Sequence, residues 1–482
     1  MQILSLFIVP LVGLLLVRLM PDSRKAFWAG MAVALVSLAD VLVKMISLDP
    51  ASGLQMVVDQ FWVQDLGISF YVGLDGLSMV MVFLTALLIP LIIYSSADRE
   101  IPDYKNLLSL VFFMQAALYG VFVSLDGFLF YVFWELALIP IWFICLLWGG
   151  KDRIRITLKF FIYTLSGSLL MLLGVIWLWL QTPGTHSFDI NSLMQLSLTD
   201  SQQSWVFWAF FIAFAIKIPI FPFHTWQPDT YVSAPTTGTM LLSGIMLKMG
   251  LFGLIRWVLP IVPDAVASWS WLAVGLAVVG VVYAALMAMA QTDFKRMAAY
   301  SSMSHVGLIA AAILTADVTA VEGATYQMIS HGVNAIGLFF IAELLHRRFE
   351  DRGMEEMGGL AHVSRPFAIG FMIIMLGNVA LPLTNGFVGE FLMLSGIYNY
   401  GAWTAAIAGL SVILGAVYML NAYRKTTLGE TSSLSATFAP LTASEKTMLL
   451  IIGALVIIGG IYPKYLMDIA GPSLQSILNK PF

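Results

Sequence analysis

Runs of about 20 apolar residues follow one another almost from end to end of this chain, the length that carries an α-helix across a bilayer core. Inside hydrocarbon every backbone N–H and C=O must be satisfied within the protein, so only helices and closed barrels span. Barrel strands alternate in polarity and these runs do not, so the sequence predicts an all-α integral membrane protein. Composition agrees: 60% of the 482 residues are hydrophobic and 11% are charged, against roughly 25% charged in ordinary soluble domains.

The runs predict about fourteen transmembrane helices, near 2–20, 26–46, 77–95, 106–124, 127–149, 156–181, 204–223, 235–257, 266–290, 296–316, 321–345, 366–397, 402–423 and 444–463. No Gly/Ser-rich or Pro-rich linker interrupts them, so residues 1–482 read as a single membrane domain. Polar stretches such as THSFDINSLMQLSLTDSQQS at 185–204 read as loops. The first run lacks a basic leader and a small-residue cleavage site, and is expected to be a retained span.

Cations set the orientation. Connections after odd-numbered spans hold eighteen Lys and Arg, among them Arg18, Arg24, Lys105, Lys151, Arg155, Lys295, Arg347, Arg352 and Lys446, whereas the other side has only Lys44, Arg256, Lys464 and Lys480. Lys and Arg accumulate in cytoplasmic loops, so the odd connections are expected to be cytoplasmic and both termini to lie on the opposite side.

Two of the twenty-four cations remain, Lys217 and Lys248, and both fall inside spans. A charge there costs at least about 2.5 kcal/mol, so it faces a polar interior and takes a partner. Glu135, in FYVFWELALIPIWF, is the nearest candidate; a second acid, Glu390, lies in LPLTNGFVGEFLML. Pro219 and Pro222 follow Lys217, and Pro382, Asn385 and Gly386 precede Glu390, so a helix break is expected at each place. Backbone carbonyls freed at membrane depth line hydrated cavities, and a lysine beside one can exchange protons as a carboxylate moves toward or away from it. The breaks lie about five spans apart, and an odd offset inverts topology, the layout of an inverted repeat. The first repeat is placed at 106–257 and the second at 266–423, after N-terminal helices in 1–105 and before a C-terminal helix at 444–463.

Each feature also has a plainer reading. A proline can simply kink a membrane helix, Lys217 and Glu135 can form a structural ion pair, and His305 and His331 can tie helices together. Lysines, acids and histidines on separate spans, together with two breaks, favour a proton relay over any one of these. Asp75, Asp126, Asp229 and Asp293 sit near span ends, where capping or interface roles are expected. Cys145 is the only cysteine, so the chain alone can hold neither an iron–sulfur cluster nor an internal disulfide. Neither a phosphate-cradling loop nor a dinucleotide fingerprint is present, a haem held by His305 and His331 has only those two residues for it, and the basic loops are explained by topology without nucleic acid.

The string KIPIFPFHTWQPDTYVSAPTTGTMLLSGIMLKMG at 217–250 resembles the signature of the proton-translocating, antiporter-like membrane subunits of respiratory complex I, shared with Mrp-type Na+/H+ antiporters. GLDGLSM at 73–79, FWELALIP at 133–140, QTDFKRMAAYSSMSHVG at 291–307 and NGFVGEF at 385–391 are similar to further motifs of that family. Glu390, where several branches carry lysine, and the short stretch after the last predicted span resemble the M-type chains of NADH:quinone oxidoreductase.

The resemblance implies a function in which quinone reduction elsewhere drives protons through this chain. It implies that Glu135 and Lys217 form a charged pair that opens and closes, that Lys248 is the central relay with His305 and His331 in support, and that Glu390 exchanges protons toward the far side. His224 is a further supporting candidate, while Tyr231 stands where relatives often have histidine. No cofactor is expected in this chain; flavin, iron–sulfur clusters and quinone belong to partner subunits. Expected partners are neighbouring antiporter-like subunits, the lipid bilayer and, indirectly, the hydrophilic redox arm. An Mrp-type exchanger subunit, a hydrogenase-linked relative and a secondary solute transporter are the alternatives, the first distinguished by sodium dependence.

Overall fold

The computed structural model describes residues 2–184, 186–349 and 353–478. Arg352 and Lys480, two of the cations used to orient the chain, lie outside them. Among the described residues, 12 helices are long and apolar enough to cross a membrane. The two remaining predicted spans are the two that the sequence reads as broken. The first is Asp200–Lys217, followed by turns and a short helix at Gln227–Ser233; the second is split into Arg365–Asn378 and Asn385–Tyr400.

Both breaks are built alike. Ile220 N donates five residues back to Ala215 O at 2.8 Å, and Leu381 N donates five residues back to Leu376 O at 3.1 Å. At the first break Ile220 N thus serves the carbonyl that Pro219 cannot, and the Trp226 indole N–H takes up the Ile216 carbonyl that Ile220 leaves, at 2.8 Å. The second turns through positive φ at Ala380 (55°) and Leu383 (73°). Helix Thr236–Ile261 stays continuous but contains two wide π turns, Leu242–Met246 and Leu254–Val258, on either side of Lys248. Such turns leave carbonyls without their usual helical donor and recur at functional sites.

Burial sorts the helices. Thr236–Ile261, Phe294–Leu314 and Val318–Phe349 are wholly enclosed along their apolar windows, whereas Gln2–Leu19 and Ala402–Thr427 present most of theirs outward. Lipid-facing helices expose Leu, Ile and Trp, and the enclosed ones carry the polar groups, as the cost of polarity in hydrocarbon requires.

The all-α expectation is corrected at one place. An antiparallel hairpin, β1 (Gln55–Val63) and β2 (Ile68–Leu74), fills the second inter-span connection. Thr185 aside, the polar stretch 186–204 is not all loop, since it contains helix Ile190–Met194 and the start of the Asp200 helix. A further helix, Lys464–Leu478, follows the last span at Ala443–Ile461. It lays Ile469, Ala470 and Leu474 against the protein and crosses the start of helix Gly76–Tyr94 so closely that a Cβ on Gly76 would meet Ile469 O at 1.8 Å. Ser473 Oγ accepts from Gly76 N at 2.9 Å.

The four span-end aspartates behave as read. Asp75, Asp126 and Asp293 cap the helices that follow them, and Asp229 pairs with Lys159 and Arg296. Asp75 also holds Arg256 in a buried pair at 2.6 and 2.7 Å. Burial pushes the Asp75 carboxyl up, but the Arg256 charge and the hydrogen bonds of Arg256 and Ser78 together hold it below the ordinary carboxylate range. A carboxyl depressed in this way adds stability above its unfolded value and loses it only as pH falls through the lower folded value, so the clamp is intact throughout the physiological range. Asp75→Ala leaves Arg256 buried and unpaired and is expected to destabilise the subunit by about 3–5 kcal/mol. Thermal unfolding of the detergent-solubilised protein at neutral pH measures it; an unchanged midpoint would contradict the clamp.

Candidate functional site

The site begins at the two breaks, because each ends a helix in the interior. Lys217 is the last residue of its helix, and it is buried with no hydrogen-bond partner on Nζ. The ammonium lies 5.3 Å from the centroid of the Trp134 ring, a geometry in which the aromatic face attracts a cation. Glu135, next to Trp134 in sequence, has its Oε1 buried and equally unpartnered. Glu135 and Lys217 act on each other electrostatically without a direct hydrogen bond, and the indole lies beside the cation.

Lys217 is linked to Lys248 through close helix packing. A Cβ on Gly250 would meet Ile218 Cγ1 at 2.6 Å, and one on Gly253 would meet the Phe214 ring at 2.5 Å. Glycine at these positions brings the helix of Lys248 against the end of the helix of Lys217.

Lys248 is wholly buried and has two acceptors: Ser243 O at 2.5 Å, within the π turn, and His331 Nδ1 at 2.8 Å. When Lys248 is charged it donates to Nδ1, which places the His331 proton on Nε2, 3.0 Å from Ser302 Oγ; when Lys248 is neutral the bond can reverse. The His305 ring follows, with centroids 6.2 Å apart. His305 Nδ1 lies 2.9 Å from Glu390 Oε1, and its Nε2 is buried without a partner. Gln327 Nε2 also reaches Glu390 Oε1, at 3.4 Å.

Five of the seven residues singled out in the sequence lie buried from the first break to the second: Lys248, His331, His305 and Glu390 follow one another as a file, and Lys217 is joined to them through helix packing. Glu135 stands at its head. His224 is not brought into it; its ring lies on Phe221 and Tyr283 at centroid distances of 5.5 and 4.9 Å. The nitrogens of His331 are both engaged and Nδ1 of His305 is held by Glu390, so the geometry gives these two histidines to the file and not to a haem.

Sequence reading missed the supports. Ser302 and Gln327 carry no signal by type, and Tyr418, which donates to Ser301 Oγ at 3.0 Å beside Asn378 on the same oxygen, is one of 16 tyrosines. Trp134 did carry a signal, since it adjoins Glu135. Among the described residues no group of three or more His, Cys, Asp or Glu could hold a metal ion.

Glu390 lies beside two close approaches at glycine, one to backbone and one to a side chain. A Cβ on Gly386 would sit 2.2 Å from Gly377 O, across the break, and one on Gly389 would sit 2.3 Å from Gln327 Oε1. Backbone cannot give way as a flexible side chain can, so Gly386→Ala is expected to pry the two half-helices apart. The expected result is a reduced amount of assembled protein in the membrane, read by native electrophoresis; wild-type assembly would contradict the packing described.

Residues 124–458 match the family model described as NADH:quinone oxidoreductase/Mrp antiporter, TM. NADH-quinone oxidoreductase subunit M of Rickettsia prowazekii is 36% identical over 480 residues, covering 98% of this chain and 97% of that protein. The subunit M of Escherichia coli K12 is 35% identical over 434 residues, 88% and 85% of the two chains. Among solved structures, a chain of respiratory complex I from Thermus thermophilus with bound NADH superposes over all of both chains with a TM-score of 0.91 at 30% identity. A chain of the Mrp complex from Dietzia shares the fold, with a TM-score of 0.85 at 20% identity over 100% of this chain and 52% of that one. The chain belongs to the NADH:quinone oxidoreductase/Mrp antiporter family of membrane subunits.

Proposed function

We propose that this chain is the M-type subunit of a bacterial complex I membrane arm and moves protons along the file from Lys217 to Glu390. The observation that carries the mechanism is the contact sequence in its middle: Lys248 on His331, His331 beside His305, His305 on Glu390. Every group in that sequence can accept and release a proton, and each lies on a different helix from the one before it.

The chemistry of the NADH and quinone couples belongs to other subunits; this chain supplies the proton path. Quinone reduction there perturbs the buried charges at the head of the file. When Glu135 approaches Lys217, the ammonium gains an anion and holds its proton; when Glu135 withdraws, only the Trp134 face and a desolvated site remain, and the proton is released. Lys248 receives it with the Ser243 carbonyl and His331 as acceptors, and His331 and His305 pass it to Glu390. Against a membrane potential each outward charge costs about 2.3 kcal/mol per 100 mV, so the redox energy has to be delivered through such displacements.

The layout proposed with this function is fourteen spans in two inverted repeats, each with one broken helix. The matching five-residue-back hydrogen bonds at the two breaks support it. The cation-rich connections are assigned to the cytoplasm, which puts the hairpin and the Lys464–Leu478 helix on the far side. The proposed partners are antiporter-like subunits on either side in the membrane, with flavin and iron–sulfur clusters in the redox arm.

The test uses donor-driven proton uptake into inverted membrane vesicles that contain the intact complex. Lys217→Ala and Lys248→Met, each assembled to the wild-type level, are expected to lose quinone reduction and proton uptake together, by tenfold or more on the order of general acid–base effects. The loss is expected to be the same with and without sodium. Unchanged rates and stoichiometry would reduce both lysines to structural charges.

A further inference from the structure

A cavity of about 220 Å³ opens at the cation-rich face and is not part of the file. Arg99, Trp148, Ser233, Thr236, Glu343 and His346 are among the residues that line it. Glu343 is the buried acid at its floor, with 5% of its surface exposed. Its carboxylate is 3.1 Å from the Arg99 guanidinium and accepts a hydrogen bond from the Thr236 hydroxyl.

Thr236 and Glu343 are the outer ends of two antiparallel helical rails whose inner ends are Lys248 and His331. The two residues on each rail are 12 positions apart, about 18 Å along a helix. The rails are thus joined by a hydrogen bond at the mouth and by another at the file. Between these joints the first rail turns Thr239 and Ser243 inward, both wholly buried, at the spacing of one helix face. Each hydroxyl donates to a backbone carbonyl, which leaves its oxygen lone pairs available, and the Ser243 carbonyl is the acceptor of Lys248.

Tyr231 lies between the same rails. Its ring rests on Phe339 of one at 5.7 Å between centroids, and its carbonyl accepts from Thr239 of the other at 2.9 Å. Its hydroxyl is wholly buried beside the Gln227 side chain one turn earlier, and neither the hydroxyl nor Gln227 Oε1 has a hydrogen bond of good geometry. Buried polar groups left without protein partners in a native core are met by water.

We propose that this cavity is the proton intake mouth of the subunit, and that Glu343 takes up from the bulk the proton that reaches Lys248. The proposal rests on the reading of the chain as a pump and adds the group that reloads Lys248 from the bulk once the proton delivered by Lys217 has moved on to His331. A proton from water binds the Glu343 carboxylate and loosens its hold on Arg99. It then passes along water held by Tyr231, Thr239 and Ser243 to Lys248; the lysine becomes ammonium, Glu343 is again an anion, and the Arg99 pair re-forms. Arg99 thereby serves as a spring that returns the acid to its starting position.

The experiment measures NADH-driven quinone reduction by the intact complex in the presence of an uncoupler, so that membrane-permeant acids cannot act through the gradient. Glu343→Ala is expected to lower turnover about tenfold, Glu343→Asp to restore most of it, and added formate, small enough for the vacated floor of the cavity, to raise the Glu343→Ala rate with concentration. Ser233→Trp narrows the mouth and leaves the Arg99 pair in place; it is expected to slow turnover without formate rescue. Wild-type turnover in Glu343→Ala would overturn the proposal, and so would a loss that neither Asp nor formate relieves at normal assembly. If Glu343→Ala fails to assemble, Ser233→Trp decides alone, and unchanged turnover there overturns the mouth. Lys248→Met separates the two levels: if it is defective while the mouth variants are not, the mouth is wrong and the relay stands; if it too is silent, the pump reading fails.

Discussion

An ammonium in the middle of a bilayer has to be given acceptors by the protein, and the interior of this chain is arranged around doing so for Lys248. The π turn before it frees the Ser243 carbonyl, and the neighbouring helix supplies the neutral nitrogen of His331. The other nitrogen of His331 lies against Ser302, toward the second half of the molecule. Enclosure follows from the same demand. The three helices that carry Lys248, His305 and His331 are enclosed along their apolar windows, while the helices of Glu135, Lys217 and Glu390 each bury one face and present another outward.

Lys217 shows the opposite solution. It ends a helix cut short by proline, has no hydrogen-bond partner, and rests near an aromatic face. A cation held only in this way is responsive to any charge brought near, because the alternatives are weak. One lysine is thus secured and the other poised, a difference that the two identical residue types do not reveal. The indole beside Glu135 makes the poised state tolerable, since it supplies attraction without a competing proton acceptor.

The sequence made the membrane class, the breaks and five members of the file legible because each violates the surrounding apolar pattern. Lys217, Lys248 and Glu390 stand out against hydrocarbon, and Pro219, Pro222 and Pro382 forbid a continuous helix. Glu343 breaks the same rule within the predicted span 321–345, but the basic residues that follow it make it read as part of the span's polar end. The hairpin at residues 55–74 was hidden because its strands mix polar and apolar residues irregularly. Helix Lys464–Leu478 lay beyond the last membrane-length run, although its buried Ile469, Ala470, Ser473 and Leu474 follow helical spacing. His224 is a candidate through the family resemblance alone; in the structure its ring lies on Phe221 and Tyr283, just after the break.

Continuity is the central requirement of this account, since direct contacts join Lys248 to His331 and His305 to Glu390 but neither Lys217 to Lys248 nor the two histidines to each other. The most direct test is to locate ordered water in a high-resolution structure of the intact complex. Water within hydrogen-bonding distance of Lys217 Nζ and of His305 Nε2, linked onward to Lys248 and to His331, is the predicted result. Those two atoms walled off by apolar side chains, with no water on either side of the His305–His331 gap in any catalytic state, would contradict it.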